Sequence, residues 1–527
     1  MTSLIPLQPG APVKGTPDSP AARADSANLT ARTLRGLKWT YLAALCSGLL
    51  QVGVTATMSR LLTPADYGLI AAAGLFLRFG SYFSEMGVGQ ALVQKPEVGD
   101  EDIRAAFTAS SGIGLLATAV LFACAPLARA ILDSSQVVGV VRLLSLCLLL
   151  NGLASASLNL LRRNLRFDVL SKIEVGSYAI GYGVLGIPLA LAGCGVWALS
   201  AALLAQPLLT LVFAYAAQKH SLRPSLAWRP HRALLSFGSK MSFTGFAEYI
   251  FFFAEPSVVG RMWGSAVLGI YNRATMLALL PGSNLSTALM KVLFPAFACV
   301  QNDTRRMASA YFRTLAAVGL VTLPVAFGMM AAAKDIVLAV LGTQYVNAGQ
   351  LVQILVLGFP ISMFASVAAN VTNARAEIGR RLGRQAVLCA VIWLAVFVGA
   401  HWGVAGVAVA SLSVQAVRWL AFHQLAKLSL GATWRITINA LRPGFLLGLS
   451  VAGAVFIVAQ RGPANPPLVR LGCEIGAAAL VCLVFAIWFL PAQVAPFVVR
   501  VLDASPEIAH LSPLAWYRNH IAASLAV

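Results

Sequence analysis

SRLLTPADYGLIAAA at residues 59–73 returns in altered form as GRMWGSAVLGIYNRA at residues 260–274. Both stretches, cassette 1 and cassette 2, place an arginine eight positions before a glycine: Arg60 and Gly68, then Arg261 and Gly269. An apolar run that begins with Gly-x-Lys precedes each cassette. A repeat at a spacing of about two hundred residues indicates a chain built from two related halves.

The composition predicts an all-α integral membrane protein. Hydrophobic residues make up 58% of the chain and charged residues 11%, whereas soluble domains average about a quarter charged residues. The apolar residues come in blocks of about 20, which is the length of a helix that crosses a bilayer. A helix satisfies its backbone hydrogen bonds internally, and the alternating segments of an outer-membrane barrel are not seen.

The apolar blocks predict about 14 transmembrane helices in two pseudo-symmetric six-helix lobes, followed by two C-terminal helices. We expect a disordered cytoplasmic tail at 1–33, an N-lobe at 34–219, a C-lobe at 220–428, helices 13 and 14 at 429–491 and a cytoplasmic C-terminal tail at 492–527. The predicted spans lie near 38–58, 67–88, 107–128, 140–161, 174–192, 196–216, 241–259, 275–297, 311–331, 351–371, 384–401, 404–424, 444–460 and 470–490.

The formal net charge is +20, and its distribution indicates topology. Most Lys and Arg residues fall in tails and loops on one side, including 162–166, 219–240 and 375–384. The positive-inside rule then places both termini in the cytoplasm. Contact with anionic lipid headgroups is a secondary interpretation, and no nucleic-acid partner is expected.

The sequence lacks the usual signals of catalysis. It has no GxxxxGK[ST] phosphate loop, no HExxH pair, and histidines that are scattered. The eight cysteines fall almost all in predicted spans and are expected to be packing residues. We therefore expect no enzyme, no catalytic residue, no metal site and no cofactor. A membrane-embedded polysaccharide ligase stays the less favoured alternative, because the predicted outer loops are short.

Much of cassette 1 is explained by a joint between two helices. Thr63 fits an N-cap, Pro64 the first helical turn and Asp66 the capping-box position, while Ser265 can cap the second copy. Arg60 suits the negative C-terminal end of the helix that it follows. We therefore expect Arg60 and Arg261 to be structural.

The candidate site residues are charged residues inside the predicted spans, together with Arg273 at the outer start of the span 275–297. Charges inside spans are costly in hydrocarbon and mark pathways. They could line a cavity between the lobes, with cations for an anionic substrate and carboxylates for a coupling ion. The alternative is internal salt bridging, for example of Arg78 with Glu248 or Glu255. The candidate cavity cations are Arg78, Arg273 and Lys291, and the possible coupling or structural carboxylates are Glu85, Glu248 and Glu255.

An ordered set of segments gives the chain a family resemblance. The set is RLLTPADYG, FSEMGVGQALVQK, LRRNLRF, GCGVWAL, LLSFG, GRMWGSAVLGIYNRA, LPGSNLSTALMKVLFPAFACVQND and VLGTQYVNAGQLVQIL. From about residue 33 to residue 490 it resembles the polysaccharide-transport family of lipid-linked oligosaccharide flippases, within the multidrug/oligosaccharidyl-lipid/polysaccharide superfamily. Relatives keep cavity cations on helices 1, 2 and 8, where Arg78, Arg273 and Lys291 stand. The stretch Ala254-Glu255-Pro256 departs from the Asn-x-Asp of many relatives.

The resemblance implies a transporter of the bacterial inner membrane. Its substrate would be an undecaprenyl-pyrophosphate-linked oligosaccharide, moved by alternating access from the cytoplasmic to the periplasmic leaflet for exopolysaccharide, capsule or lipopolysaccharide biosynthesis. Membrane lipids, a polysaccharide polymerase and export machinery are the expected partners, and proton or sodium coupling stays open. Flipping of lipid II and cation-coupled export of drugs are the alternatives within the superfamily.

Overall fold

A computed structural model describes residues 46–84, 92, 98–225, 249–281, 303–374, 378–461 and 466–488, and the regular elements within these ranges are all helical. Residues 249–281 form two helices that meet at Gly264, where φ is +77°. The main helices are α1 46–61, α2 Pro64–Ser84, α3 Asp100–Cys124, α4 Ser135–Arg163, α5 Phe167–Leu191, α6 Val196–Ala217, α7 249–263, α8 265–281, α9 Thr304–Ala331, α10 Gly358–Ala374, α11 Ile378–Gly399, α12 Gly403–Leu430, α13 Trp434–Arg461 and α14 Pro467–Trp488.

The helices carry their apolar side chains outward as well as inward. Within the described ranges, nine segments are long and apolar enough to cross a bilayer. Leu394, Phe397 and Leu480 each expose more than 60% of their surface, which suits contact with lipid rather than water. An all-α integral membrane protein is thereby confirmed, whereas the total of fourteen spans stays a prediction.

The extensive helix contacts fall into two groups. Helix α4 packs on α2, α3 and α6, while α12 packs on α10 and α11. Among α2–α6 and α9–α14, every extensive pairing joins helices of the same group. This arrangement supports the two lobes, and the exact domain boundaries stay predictions.

The two C-terminal helices attach to the second lobe through α9. A Cβ added to Gly444 of α13 would lie 2.5 Å from the carbonyl oxygen of Gly319 of α9. Glycine therefore allows the two backbones to touch, as small residues do between membrane helices. Helix α14 then packs on α13 and on the short helix Ala333–Val340.

Helix α5 is interrupted by a π-helical segment, Ala179–Gly186. Such segments are rare, and they often occur at functional sites because they change which side chains share a face. Here the segment follows Tyr178 and contains Tyr182, whose rings stack with centroids 4.5 Å apart. Both tyrosines therefore present their side chains on the same side of α5.

Candidate functional site between the two cassettes

The two cassettes lie directly against each other. A Cβ added to Gly68 would lie 1.8 Å from the carbonyl oxygen of Ser265, and one added to Gly269 would lie 1.8 Å from that of Pro64. Positions 64 and 265 correspond in the repeat, as do 68 and 269. The contact is therefore reciprocal, like an isologous interface about a twofold axis. We call this end of the molecule, where α2 and α8 begin, the cassette end.

The capping prediction for cassette 1 is confirmed. The Thr63 backbone N–H and hydroxyl both donate to Asp66 Oδ2, at 3.0 and 2.7 Å. The Asp66 N–H donates to Thr63 Oγ1 at 3.3 Å, which completes a capping box. The Asp66 carboxylate therefore bonds to Thr63, three residues before it, and fixes the start of α2.

Arg60 has a different partner from the one expected. Its Nη2 donates at 2.7 Å to the carbonyl oxygen of Ala339, in the last turn of the short helix Ala333–Val340. A cation at a helix C-terminus is favourable, but the helix belongs to the second lobe rather than to α1. Arg261, the equivalent residue of cassette 2, is exposed. Arg60 thus adds a hydrogen bond between the two lobes to the close backbone contact at the cassette end.

Arg273 of α8 enters a cavity walled largely by the first lobe. The cavity has a volume of about 210 Å³, and its walls include Tyr67, Tyr178 and Tyr182 from α2 and α5. The guanidinium carbon lies 3.8 Å from the Tyr67 ring centroid, a close cation–π contact. Its Nη1 lies 3.2 Å from the sulfur of Met276.

Among the described residues, no acidic side chain pairs with Arg273, and none accepts a hydrogen bond from its Nε. A fourth aromatic side chain, Tyr345, packs edge-on against Tyr67 with ring centroids 6.2 Å apart. Burial raises the pKa of the Tyr345 hydroxyl, which stays protonated near neutral pH. A cation surrounded by neutral tyrosines is available to an anionic ligand.

Arg78 lies in a neighbouring cavity of about 340 Å³ between α2, α4 and α6. The walls around it carry amide and hydroxyl side chains, Asn151, Gln206 and Thr210. Leu203 lines both this cavity and that of Arg273. The two predicted cations therefore lie in adjoining cavities rather than in a single one.

Glu255 of α7 is 8% exposed, and its carboxylate accepts hydrogen bonds from two hydroxyl groups. Tyr271 of α8 donates to its Oε2 at 2.6 Å, and Ser411 of α12 donates to its Oε1. Its carboxylate therefore joins three helices of the second lobe, and these contacts favour a structural role over ion coupling. Three other predicted site residues lie outside the described ranges: Glu85, Glu248 and Lys291.

Three residues were not singled out from the sequence: Tyr178 and Tyr182 of the site, and Arg418 outside its two cavities. Tyr178 and Tyr182 gave no signal, because two tyrosines in an apolar run are ordinary packing residues. Arg418 did give one, since it is an arginine inside the predicted span 404–424. It is 8% exposed and lies over the rings of Phe251 and Phe252, at 5.0 and 5.4 Å from their centroids.

Comparison with known proteins decides the family. Residues 57–350 match the sequence model of a family described as "polysaccharide biosynthesis protein". The chain belongs to this family. That family membership confirms the resemblance to polysaccharide transporters, and the match covers more than half of the sequence, including both cassettes.

Curated relatives of the family align over most of the chain. The lipopolysaccharide biosynthesis protein WzxC of Escherichia coli is 23% identical over 80% of this chain and 86% of its own. The succinoglycan biosynthesis transport protein ExoT of Rhizobium meliloti is 27% identical over 81% of this chain and 84% of ExoT. The teichuronic acid biosynthesis protein TuaB of Bacillus subtilis is 22% identical over 63% of this chain and 68% of TuaB. These comparisons agree with the prediction of a membrane transporter that is not an enzyme.

Solved structures of low sequence identity share the fold. The lipid II flippase MurJ in an inward closed conformation superposes with a TM-score of 0.66 at 13% identity, covering 86% of this chain and 98% of MurJ. An inward-facing multidrug transporter of the MATE family gives a TM-score of 0.51 at 16% identity, covering 73% and 94%. The chain therefore shares its fold with these two transporters.

Proposed function

We propose that this polysaccharide-family protein is a flippase for undecaprenyl-pyrophosphate-linked oligosaccharide repeat units. It moves them from the cytoplasmic to the periplasmic leaflet of the bacterial inner membrane by alternating access, for exopolysaccharide, capsule or lipopolysaccharide biosynthesis. The observation that carries the proposal is Arg273, a cation without an acidic partner among the described residues, in a tyrosine-walled cavity. The transport and biosynthesis descriptions of ExoT and WzxC support it.

The two adjoining cavities suit the two polar parts of such a substrate. A guanidinium binds phosphate oxygens in bidentate geometry and stays charged at any physiological pH. Arg273 therefore binds the pyrophosphate. The amides and hydroxyl around Arg78 both donate and accept hydrogen bonds, as sugar hydroxyls require. The glycan therefore lies on the Arg78 side of Leu203, and Lys291 keeps its predicted role as a further cation.

The predicted orientation decides which side of the membrane the cassette end faces. With both termini in the cytoplasm, the cassette end faces the periplasm, and the reciprocal contact of Gly68 and Gly269 closes that side. Substrate would then enter from the cytoplasm while the cassette end is closed. Opening of the cassette end, with loss of the Arg60 bond to Ala339, would release it to the periplasm.

The membrane potential can drive this movement without ATP. A pyrophosphate diester carries about two negative charges, and moving one charge through about 100 mV is worth about 2.3 kcal/mol. With the inside negative, outward movement of both charges is downhill by about 4 to 5 kcal/mol. Proton or sodium coupling would add to this. A polysaccharide polymerase and export machinery remain the proposed partners downstream.

The fold shared with MurJ favours flipping of lipid II as the second candidate. Lipid II offers the same lipid pyrophosphate, so Arg273 would serve either substrate. Export of cationic drugs is disfavoured. Glu255 is the only candidate carboxylate in the described part of the chain, and both of its oxygens already accept hydrogen bonds from the hydroxyls of Tyr271 and Ser411.

Proteoliposomes test the proposal. The purified protein is reconstituted with a fluorescent undecaprenyl-pyrophosphate oligosaccharide, and movement between leaflets is followed by quenching from outside. We expect flipping that accelerates when an inside-negative potential of the matching orientation is applied. Competition by unlabelled lipid II but not by a lipid-linked oligosaccharide would favour the second candidate. No flipping of either lipid in correctly oriented vesicles would overturn the proposed function.

A further inference from the structure

Two buried carboxylates share one arginine where α14 meets the second lobe. Asp335, in the first turn of the short helix Ala333–Val340, is 6% exposed, and Glu474 of α14 is 1% exposed. Arg470 Nε lies 3.2 Å from Asp335 Oδ2 and 3.8 Å from Glu474 Oε1. Arg470 also donates to the carbonyl oxygen of Ala459, which ties it to α13. One guanidinium thus serves two acids.

Glu474 is the less satisfied of the two acids. Neither of its carboxylate oxygens accepts a hydrogen bond from a described residue. It lines a cavity of about 670 Å³ between α9, α13 and α14, whose other walls are almost entirely aliphatic. An ionised carboxylate in such surroundings loses its hydration without compensation. Because a single Arg470 cannot neutralise two acids, the charges balance when one proton is held between Asp335 and Glu474.

Other charged groups do not change this balance. Lys334, next to Asp335, is exposed. Of the described cavity walls, α9 and α13 contribute no charged side chain, and the remaining titratable group is Cys482, two turns further along α14. The proton therefore belongs to the group of Asp335, Arg470 and Glu474, which we call the acid pair.

The short helix connects the acid pair to the closed cassette end. Asp335 lies in its first turn, and the carbonyl oxygen of Ala339, in its last turn, accepts the hydrogen bond from Arg60. The two positions are four residues apart on one short helix, which is about 6 Å along its axis. A shift of Asp335 would therefore displace the acceptor of Arg60.

We propose that the acid pair is a proton-binding site and that loss of its proton opens the cassette end through the helix Ala333–Val340. With the proton bound, Arg470 pairs with Asp335, as seen in this closed structure. Without it, Glu474 becomes a second anion that draws Arg470 away from Asp335, and the short helix loses that anchor. This deepens the proposed function, on whose alternating access it rests, by naming a coupling ion and its site.

The direction of the pH dependence follows from linkage. The closed state binds the proton more tightly than the open state, so low pH favours closure and rising pH favours opening. For a single proton, the ratio of closed to open molecules can change by at most about tenfold per pH unit.

The test measures opening of the cassette end in the full-length protein in nanodiscs. Spin labels are placed by Leu127→Cys and Trp402→Cys, at exposed positions of the two lobes, with the exposed native cysteines replaced. The distance distribution is recorded between about pH 5.5 and about pH 8.5. We expect the closed distance to lose population as the pH rises.

Substitutions assign the titration to the acid pair. Glu474→Gln should leave the cassette end closed at every pH. Asp335→Asn removes the anchor of Arg470 on the short helix, so it should lower the closed population at every pH, and it serves as the independent second variant should the first not fold. Lys334→Gln, on the same short helix, should titrate as the native protein does. A native titration that persists in Glu474→Gln, or a native protein without any pH dependence, would overturn the proposal. Failure to flip lipid-linked oligosaccharide would overturn the proposed function instead and would leave this titration unchanged.

Discussion

Gly68 of α2 and Gly269 of α8 occupy equivalent positions in the two repeats, and each lies against the first turn of the other's helix. Added Cβ atoms would lie 1.8 Å from the carbonyl oxygens of Ser265 and Pro64. No side chain can fit at that separation without moving a backbone. The repeat therefore marks the surface through which the two halves close on each other.

Gly68→Ala should weaken this closure. Backbone atoms cannot yield as a side chain does, so the strain of overpacking, about 1–3 kcal/mol, falls on the closed state. We expect the spin-label distance between positions 127 and 402 to shift toward the open population. Gly74→Ala on the same helix is the control, because nothing lies within 4 Å of its added Cβ. Equal distance distributions for the two variants would show that the glycine contact does not hold the end closed.

Arg60→Gln should also favour opening, through the lost bond to the carbonyl oxygen of Ala339. Because Arg60 is exposed, solvent competes for this hydrogen bond, and its contribution is about 0.5–1.5 kcal/mol. The matched control is Arg261→Gln, since Arg261 occupies the same place in cassette 2 and its side chain makes no hydrogen bond to a described residue. The same distance measurement applies, and an unchanged closed population in Arg60→Gln would refute the role given to this bond.

Glu255→Gln should retain transport within about threefold, because glutamine can still accept from Tyr271 and pair with Ser411. Glu255→Leu should instead lower thermal stability in detergent, by about 1–3 kcal/mol for each buried hydroxyl left without a partner. Loss of transport in a stably folded Glu255→Gln would identify Glu255 as a coupling carboxylate and contradict its structural assignment.

His423→Ala should detach α13 from the second lobe in part. The His423 Nδ1 lies 2.6 Å from the Tyr311 hydroxyl of α9, and its Nε2 lies 2.9 Å from the Thr437 hydroxyl of α13. The side chain is fully buried, so its loss leaves a cavity and two unsatisfied hydroxyls. We expect a loss of about 2–4 kcal/mol in unfolding free energy, measured by thermal unfolding in detergent. His401→Ala, an exposed site, should unfold as the native protein does.

Local chemistry was readable from the sequence, and long-range partners were not. The capping box of Thr63 and Asp66 was predictable because its partners are three residues apart on a helix start. The partner of Arg60 lies 279 positions away, and that of Glu255 on α12 lies 156 positions away. No spacing rule connects such residues, since their contact depends on how the helices pack.

The candidate site divides in the same way. Arg273 was predictable because it stands at the outer start of the predicted span 275–297, where the family resemblance implies a cavity cation. Its tyrosine surroundings were not, because the meeting of Tyr178 and Tyr182 with Arg273 depends on how α5 packs against α8. Glu474 carried a readable signal, an acid inside the predicted span 470–490, but its pairing with Asp335 and Arg470 depends on the docking of α14.

The central claim is that Arg273 binds the pyrophosphate of a lipid-linked oligosaccharide, and one measurement tests it most directly. Flipping of the fluorescent lipid in proteoliposomes is compared for Arg273→Ala and Arg142→Ala. Arg142 also lies over an aromatic ring, 5.0 Å from that of Phe122, but it is exposed and outside both cavities. We predict that Arg273→Ala loses at least about tenfold in rate, the equivalent of about 1.4 kcal/mol, while Arg142→Ala keeps the native rate. Native flipping by a fully folded Arg273→Ala protein would contradict the account.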